Sequence, residues 1–184
     1  MKKSTKPAAA IYQIEVVLRH VDPPIWRRIQ VPGDTKLGKL HRILQDAMGW
    51  TNSHLHDFRI GDNVYGEPFP ESPDEVINEL NVRLDKIARE GDTLLYTYDF
   101  GDSWEHELNI EKVAPAESGV SYPRCRDGQR ACPPEDCGGP WGYANLLQVL
   151  NDPNDDEHEE MREWVEEDFD PEHFDVETIN RALR

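Results

Sequence analysis

The chain is poor in the residues that would name a chemistry outright. It holds three cysteines among 184 residues, an odd number that argues against a disulfide framework and fits a reducing compartment. Long apolar runs are missing too. No stretch approaches the ~20 consecutive apolar residues of a membrane span. The opening "MKKSTKPAAA" has no apolar region behind it, because "IYQIEVVLRHV" is interrupted by Gln13, Glu15 and Arg19. The expectation is therefore no signal peptide, no membrane span and a cytoplasmic protein. Positive charge is scarce, with 20 Lys and Arg against 37 Asp and Glu, and this disfavours direct binding to a phosphate backbone.

Catalytic signatures are likewise absent. The chain contains no G-x-S-x-G nucleophile elbow and no complete G-x-x-x-x-G-K-[S/T] phosphate loop, since the run Gly33 to Lys39 is followed by Leu40. Asp99-Phe100-Gly101 matches the magnesium triplet of protein kinases, but there is no glycine-rich loop ahead of a strand lysine and no H-R-D loop, so the kinase reading fails.

What is present is unevenly distributed. Asp152 to Glu177 carries fourteen Asp and Glu against one basic residue, Arg162, so most of the net charge of −17 belongs to the C-terminal segment. The ordinary reading of such a run is a solvated helical face; the sharper one is a docking surface for a basic protein partner. The expected organisation is a flexible tail over 1–10, an α+β domain over 11–151 with a Cys/Pro/Gly-rich loop at 114–140, and an acidic helical segment over 152–184 packed on the same domain.

Local patterns fill in the elements. Tyr12, Ile14, Val16 and Leu18 alternate with polar residues as in a half-buried strand, and Ile25 to Val31 resumes the alternation after Pro23-Pro24, which predicts a hairpin with Arg27 pointing inward. Leu37, Leu40, Ile43, Leu44, Ala47 and Met48 fall at helical spacing, with Asp34 or Thr35 available as N-cap and Gly49 as terminator. "SHLHDFRI" and "VYG" around "GDN" predict a second hairpin, and "TLLYTYDF" and "SWEHELNIEKV" predict strands flanking a turn at Gly101. "EVINELNVRLDKIAREGD" has partial helical spacing. "WGYANLLQVLND", "EHEEMREWVEEDF" and a last segment capped by Asp175 read as helices. The fold class is α+β: a small mixed or antiparallel sheet packed by helices, β-grasp-like, with an acidic helical C-terminus.

The chemistry concentrates in two strands. His54 and His56, two apart, would leave one face of the first, and Asp102, Trp104 and His106 would share one face of the second. His54, His56, Asp102 and His106 then form a mixed N/O set suited to Zn or Mn, with Asp99 adding an oxygen across the turn. Asp99 and Glu105 are the candidates to shuttle protons. Arg27, Trp104 and Asp136 are candidate ligand contacts, the last because the loop carrying Glu135 and Asp136 would close the site by folding over the strands. Cys125, Cys132 and Cys137 have six and four residues between them, not the two of a zinc knuckle, so a second metal cluster there would need a histidine to complete three thiolates. The blander reading of every such group is hydrogen bonding to turn amides or burial in the core.

Five ordered blocks carry a resemblance. "PPIWRRIQVP", "LHRILQDAMGWTNSHLHDF", "YTYDFGDSWEHELNIE", "CPPEDCGGPWGY" and "FDPEHFD", covering Ile11 to Phe174, resemble the plasmid pRi ORF-three-like family, whose relatives include a passenger protein of some insertion elements labelled a resolvase. The resemblance implies a single α+β domain found in plasmid and mobile-element contexts; it brings no established catalytic residues. The resolvase label finds no support in this chain, which lacks a recombinase arrangement of nucleophile and arginines and a basic helix-turn-helix tail. The function expected is an accessory domain whose His/Asp site binds a metal or small anion. The alternatives are a metal-dependent hydrolase and an interaction module using the acidic helices.

Overall fold

A computed structural model describes residues 9–68, 75–165 and 169–184. Most of the tail expected over 1–10, most of the loop after Pro68 and residues 166–168 at the end of the "EHEEMREWVEEDF" helix lie outside the described residues.

The predicted first hairpin forms as β1 (Ile11–Leu18) and β2 (Trp26–Pro32), paired antiparallel with Ile14 opposite Ile29 and Val16 opposite Arg27. The chain then crosses one face of the sheet as α1 (Leu37–Met48) and returns as the second hairpin, β3 (His56–Ile60) and β4 (Asn63–Gly66). β5 (Val76–Asn78) pairs parallel with β4 and leads through a 3-10 turn at Glu79–Asn81 into the single-turn α2 (Leu84–Ile87). β6 (Thr93–Tyr98) and β7 (Trp104–Ala114) flank the Gly101 turn as expected. The remaining elements are β8 (Arg124–Gln129), α3 (Gly139–Asn151), α4 (His158–Trp164) and α5 (Val176–Ala182). Together they make an α+β fold on one mixed sheet ordered β5-β4-β3-β6-β7-β1-β2-β8.

The alternation in β1 and β2 works out as read. Ile14, Val16, Leu18, Ile25, Ile29 and Val31 are buried against the helix-covered face, each worth roughly 1.5–3 kcal/mol of removal from water. The opposite face is polar: Arg28 donates to both oxygens of Glu111 at 2.8 Å and to Glu15 at 3.2 Å, and these hydrogen bonds hold the Glu111 carboxyl below its ordinary range. One apolar face and one charged face make a sheet covered by helices on one side only.

Two local expectations need correction. α1 ends at Gly49 in the left-handed conformation (φ 92°), as read, but its N-cap is Lys36, with no side-chain cap. The first helical N–H of Leu37 is instead satisfied by the Val82 carbonyl at 2.9 Å, a tertiary partner that makes a capping side chain unnecessary. The expected loop at 114–140 contains an edge strand, β8, pairing with β2. Its run "RCRDGQ" has almost no apolar alternation because one side of its backbone is held by a side chain: Asn180 of α5 accepts from Cys125 N and donates to Cys125 O, both at 2.9 Å.

Candidate functional site

The site begins where β3 starts and β6 ends. Asp99 follows β6 in the left-handed region (φ 55°), and its Oδ1 accepts from Gly101 N at 2.9 Å and Asp102 N at 3.4 Å. Its backbone N–H donates to Leu55 O at 2.9 Å, which draws the segment before β3 against the turn. His54 therefore lies beside Asp99, with Nδ1 at 3.7 Å from Asp99 Oδ2.

The third member comes from the Pro133–Gly138 loop, which packs against the strand ends. Trp50 Nε1 donates to Pro133 O at 3.0 Å, Tyr98 OH to Glu135 Oε1 at 2.5 Å and Gly138 N to Asp102 Oδ2 at 3.1 Å. Thr51 adds its backbone N–H and its hydroxyl to Glu135. So anchored, Asp136 sets its Oδ1 at 3.3 Å from His54 Nε2, a nitrogen that is buried and has no aligned hydrogen-bond partner. His54, Asp99 and Asp136 can each offer one ligand atom such that all lie within 4.8 Å of one another. Asp136, like Asp99, sits in the left-handed region (φ 59°), where a non-glycine residue persists only when its surroundings hold it.

His54 also borders a cleft of about 480 Å³, lined further by Lys39, His41, Arg42, His56, Glu79 and the exposed side chains of Leu55, Leu80 and Phe100. Its floor is a buried polar network. Gln45 Nε2 donates to Tyr96 OH at 3.0 Å, so that hydroxyl gives its own proton to His41 Nδ1 at 2.8 Å. His41 is thereby the neutral tautomer that donates from Nε2 to Asn52 Oδ1, and burial with the neighbouring His56 drops its pKa to about 4. The His56 ring stacks flat on His41 with centroids 3.5 Å apart, and His56 Nε2 meets the buried Glu79 carboxylate at 3.0 Å. Gly38 of α1 makes room for that carboxylate, since a Cβ there would stand 2.9 Å from Glu79 Oε1.

The four-residue metal set read from the strands does not assemble. His54 and His56 both border the cleft, but β3 starts only at His56, and the two imidazoles take different carboxylates. Asp102 falls in the turn rather than on β7 and binds the Gly138 amide. His106 is 0% exposed with Nδ1 on the Trp104 and Tyr96 carbonyls, and burial holds it neutral with a pKa of about 4. Trp104, 1% exposed, is core rather than a ligand contact.

Arg27 is also consumed internally: it donates to the Ala47 carbonyl at the end of α1 and to the Trp26 and Gln129 carbonyls, and it covers the Phe174 ring at 5.1 Å. Glu105 lies on the outer face, paired with Arg19 at 2.7 Å. Cys125, Cys132 and Cys137 are free thiols that do not form a ligand group with one another among the described residues. Burial pushes all three thiols upward, Cys137 to about 12.

Sequence reading missed His41 and Glu79. His41 carried a signal, an ionisable residue on the apolar face of α1 beside Leu37, Leu40 and Leu44. Glu79 carried none, because a 3-10 turn supplies it and a distant helix buries it.

The chain matches the family described as plasmid pRiA4b ORF-3-like protein over residues 10–178. It is 40% identical over 178 residues to the uncharacterized protein y4hQ of Sinorhizobium fredii (strain NBRC 101917 / NGR234), covering 95% of this chain and 91% of that one. Among solved structures it is similar to a protein of unknown function, MM3350 from Methanosarcina mazei Go1, with a TM-score of 0.86 and 36% identity over 91% of this chain and 96% of that one. Among the described residues no helix is long and apolar enough to cross a membrane. With nearly the whole chain matched, and with an α+β fold shared by a solved relative, the protein belongs to the plasmid pRiA4b ORF-3-like family.

Proposed function

We propose that the protein is an accessory binding domain in which His54, Asp99 and Asp136 hold a divalent cation, Zn or Mn. The observation that carries this reading is the convergence of one ligand atom from each of three distant chain segments to within 4.8 Å of one another. Further support comes from the left-handed backbone at both carboxylates and from the unpartnered His54 Nε2. An imidazole and two carboxylates suit either ion, and three protein ligands leave coordination positions open to water. That openness, beside a cleft, also favours the hydrolase reading, in which the ion would lower the pKa of a bound water.

The test is elemental analysis of untagged protein purified without chelator, beside His54→Ala. Near-stoichiometric metal that disappears from a still-folded variant supports the site. Absence of metal after incubation with zinc and manganese overturns it.

The acidic segment supports a second activity, docking of a basic protein partner, because Asp156, Glu157, Glu159, Glu160 and Glu163 are all exposed around α4. Binding to such a partner should weaken steeply with salt and with Glu→Gln changes along α4; salt-insensitive binding would sink this reading.

A further inference from the structure

We infer that the cleft between α1, the start of β3 and the Glu79 turn is a binding site for a small organic anion carrying an apolar group, such as an aryl or alkyl carboxylate or phosphate. It does not depend on the cation proposed at His54.

Apolar character comes first. Leu55, Leu80 and Phe100 line the cleft while 51%, 64% and 43% exposed, half of the large hydrophobic side chains left exposed among the described residues. Scattered exposed apolar residues need no explanation, but three around one polar-floored cleft form the mixed lining of a small-molecule site.

Charge supplies the second part. The molecule is strongly acidic, and six of its thirteen arginines pair with nearby carboxylates, Arg19, Arg28, Arg59, Arg83, Arg124 and Arg130. Lys39 and Arg42 face the cleft with no ion pair among the described residues. Of the acids among the described lining residues, Glu79 is committed to His56, which leaves Glu67 beside Lys39 and Arg42. A guanidinium without a carboxylate is suited to a carboxylate or phosphate brought by a ligand.

The floor completes the arrangement. Tyr96 and Asn52 hold the His41 ring in place, and His56 stacks flat on it. Glu79 engages His56 Nε2 at 3.0 Å, and His56 Nδ1, the nitrogen away from Glu79, has no hydrogen-bond partner among the described residues. It is the ring nitrogen left to meet a ligand. Four polar side chains of this network (Gln45, Tyr96, His41, Glu79) are buried, with a helical glycine making room for one of them; they are expensive to bury and contribute little that an apolar core would not. Presenting one imidazole to a ligand accounts for them.

The experiment is fluorescence titration with anilinonaphthalene sulfonate, an apolar anion, and with its neutral counterpart N-phenylnaphthylamine, in chelator so that any bound cation is removed. One saturable site per chain is expected for the anion. Arg42→Glu and Leu80→Asp should each weaken it about tenfold, with far-ultraviolet circular dichroism confirming the fold. Trp164→Asp, in the separate groove beside Pro133 and Phe169, should leave it unchanged. The proposal is overturned if no saturable binding occurs, if the neutral probe binds as tightly as the anion, or if Trp164→Asp abolishes binding while Arg42→Glu does not. Because metal is excluded, these outcomes are independent of the elemental analysis.

Discussion

Two regions of the sheet carry histidines next to aromatic residues, and they have opposite fates. At the β3 end, His54 and His56 meet carboxylates and border a cleft. Behind the same turn, on β7, Trp104 and His106 are sealed under Trp50, whose ring stands edge-on to His106 at 5.3 Å. Strand parity put both sets on apparently equivalent faces. What separates them is covering: Trp50, just after α1, closes over Trp104 and His106, whereas the chain before β3 is held at the rim by the Leu55 to Asp99 hydrogen bond.

The contrast can be broken most forcefully at Trp104. Trp104→Ala should cost about 3–5 kcal/mol in urea unfolding, the usual loss for deleting a fully buried aromatic. A loss below about 1 kcal/mol would mean that this face is open after all.

Acid gives the next largest effect. His41 and His106 each ionise near 6.5 when unfolded and at about 4 when folded, so the unfolded chain takes up their protons first. Their stabilising contribution is full above pH 6.5 and is lost as pH falls through the window down to about 4, by up to about 1.4 kcal/mol per pH unit for each ring. Denaturant midpoints measured across that window should show a shallower slope, by about one proton, in His41→Gln. An unchanged slope would show that His41 is not held neutral.

Gly38→Ala sharpens the view of the cleft floor. In an exposed helix this change should stabilise by roughly 0.5–1 kcal/mol. Here the new Cβ meets Glu79 Oε1 at 2.9 Å, so the expected result is no gain or a net loss in thermal unfolding; a full gain would show that Glu79 moves away freely. The smallest effect belongs to His54→Ala, which removes a partly exposed side chain and should change stability by less than about 1 kcal/mol, in contrast to Trp104→Ala.

Much of the fold was legible because it rests on short-range patterns. The β1–β2 and β3–β4 hairpins, the strands around Gly101, α1 with its Gly49 terminator and the Asp175 cap on α5 all follow from local periodicity and turn chemistry. The site was legible only in its members. His54, Asp99 and Asp136 were each noticed for a local reason, but the grouping with His56, Asp102 and His106 assumed that strands continue where the chain in fact turns.

The sequence by itself determined the α+β class, the family and the concentration of acidic residues between Asp152 and Glu177, because composition and periodicity are properties of contiguous residues. Only tertiary structure decided that β8 closes the sheet edge under Asn180, that Arg27 and His106 belong to the interior, and that His54 meets two carboxylates from 45 and 82 residues further along the chain. Those outcomes depend on which backbone groups and side chains distant segments bring to one another, and no local pattern encodes that.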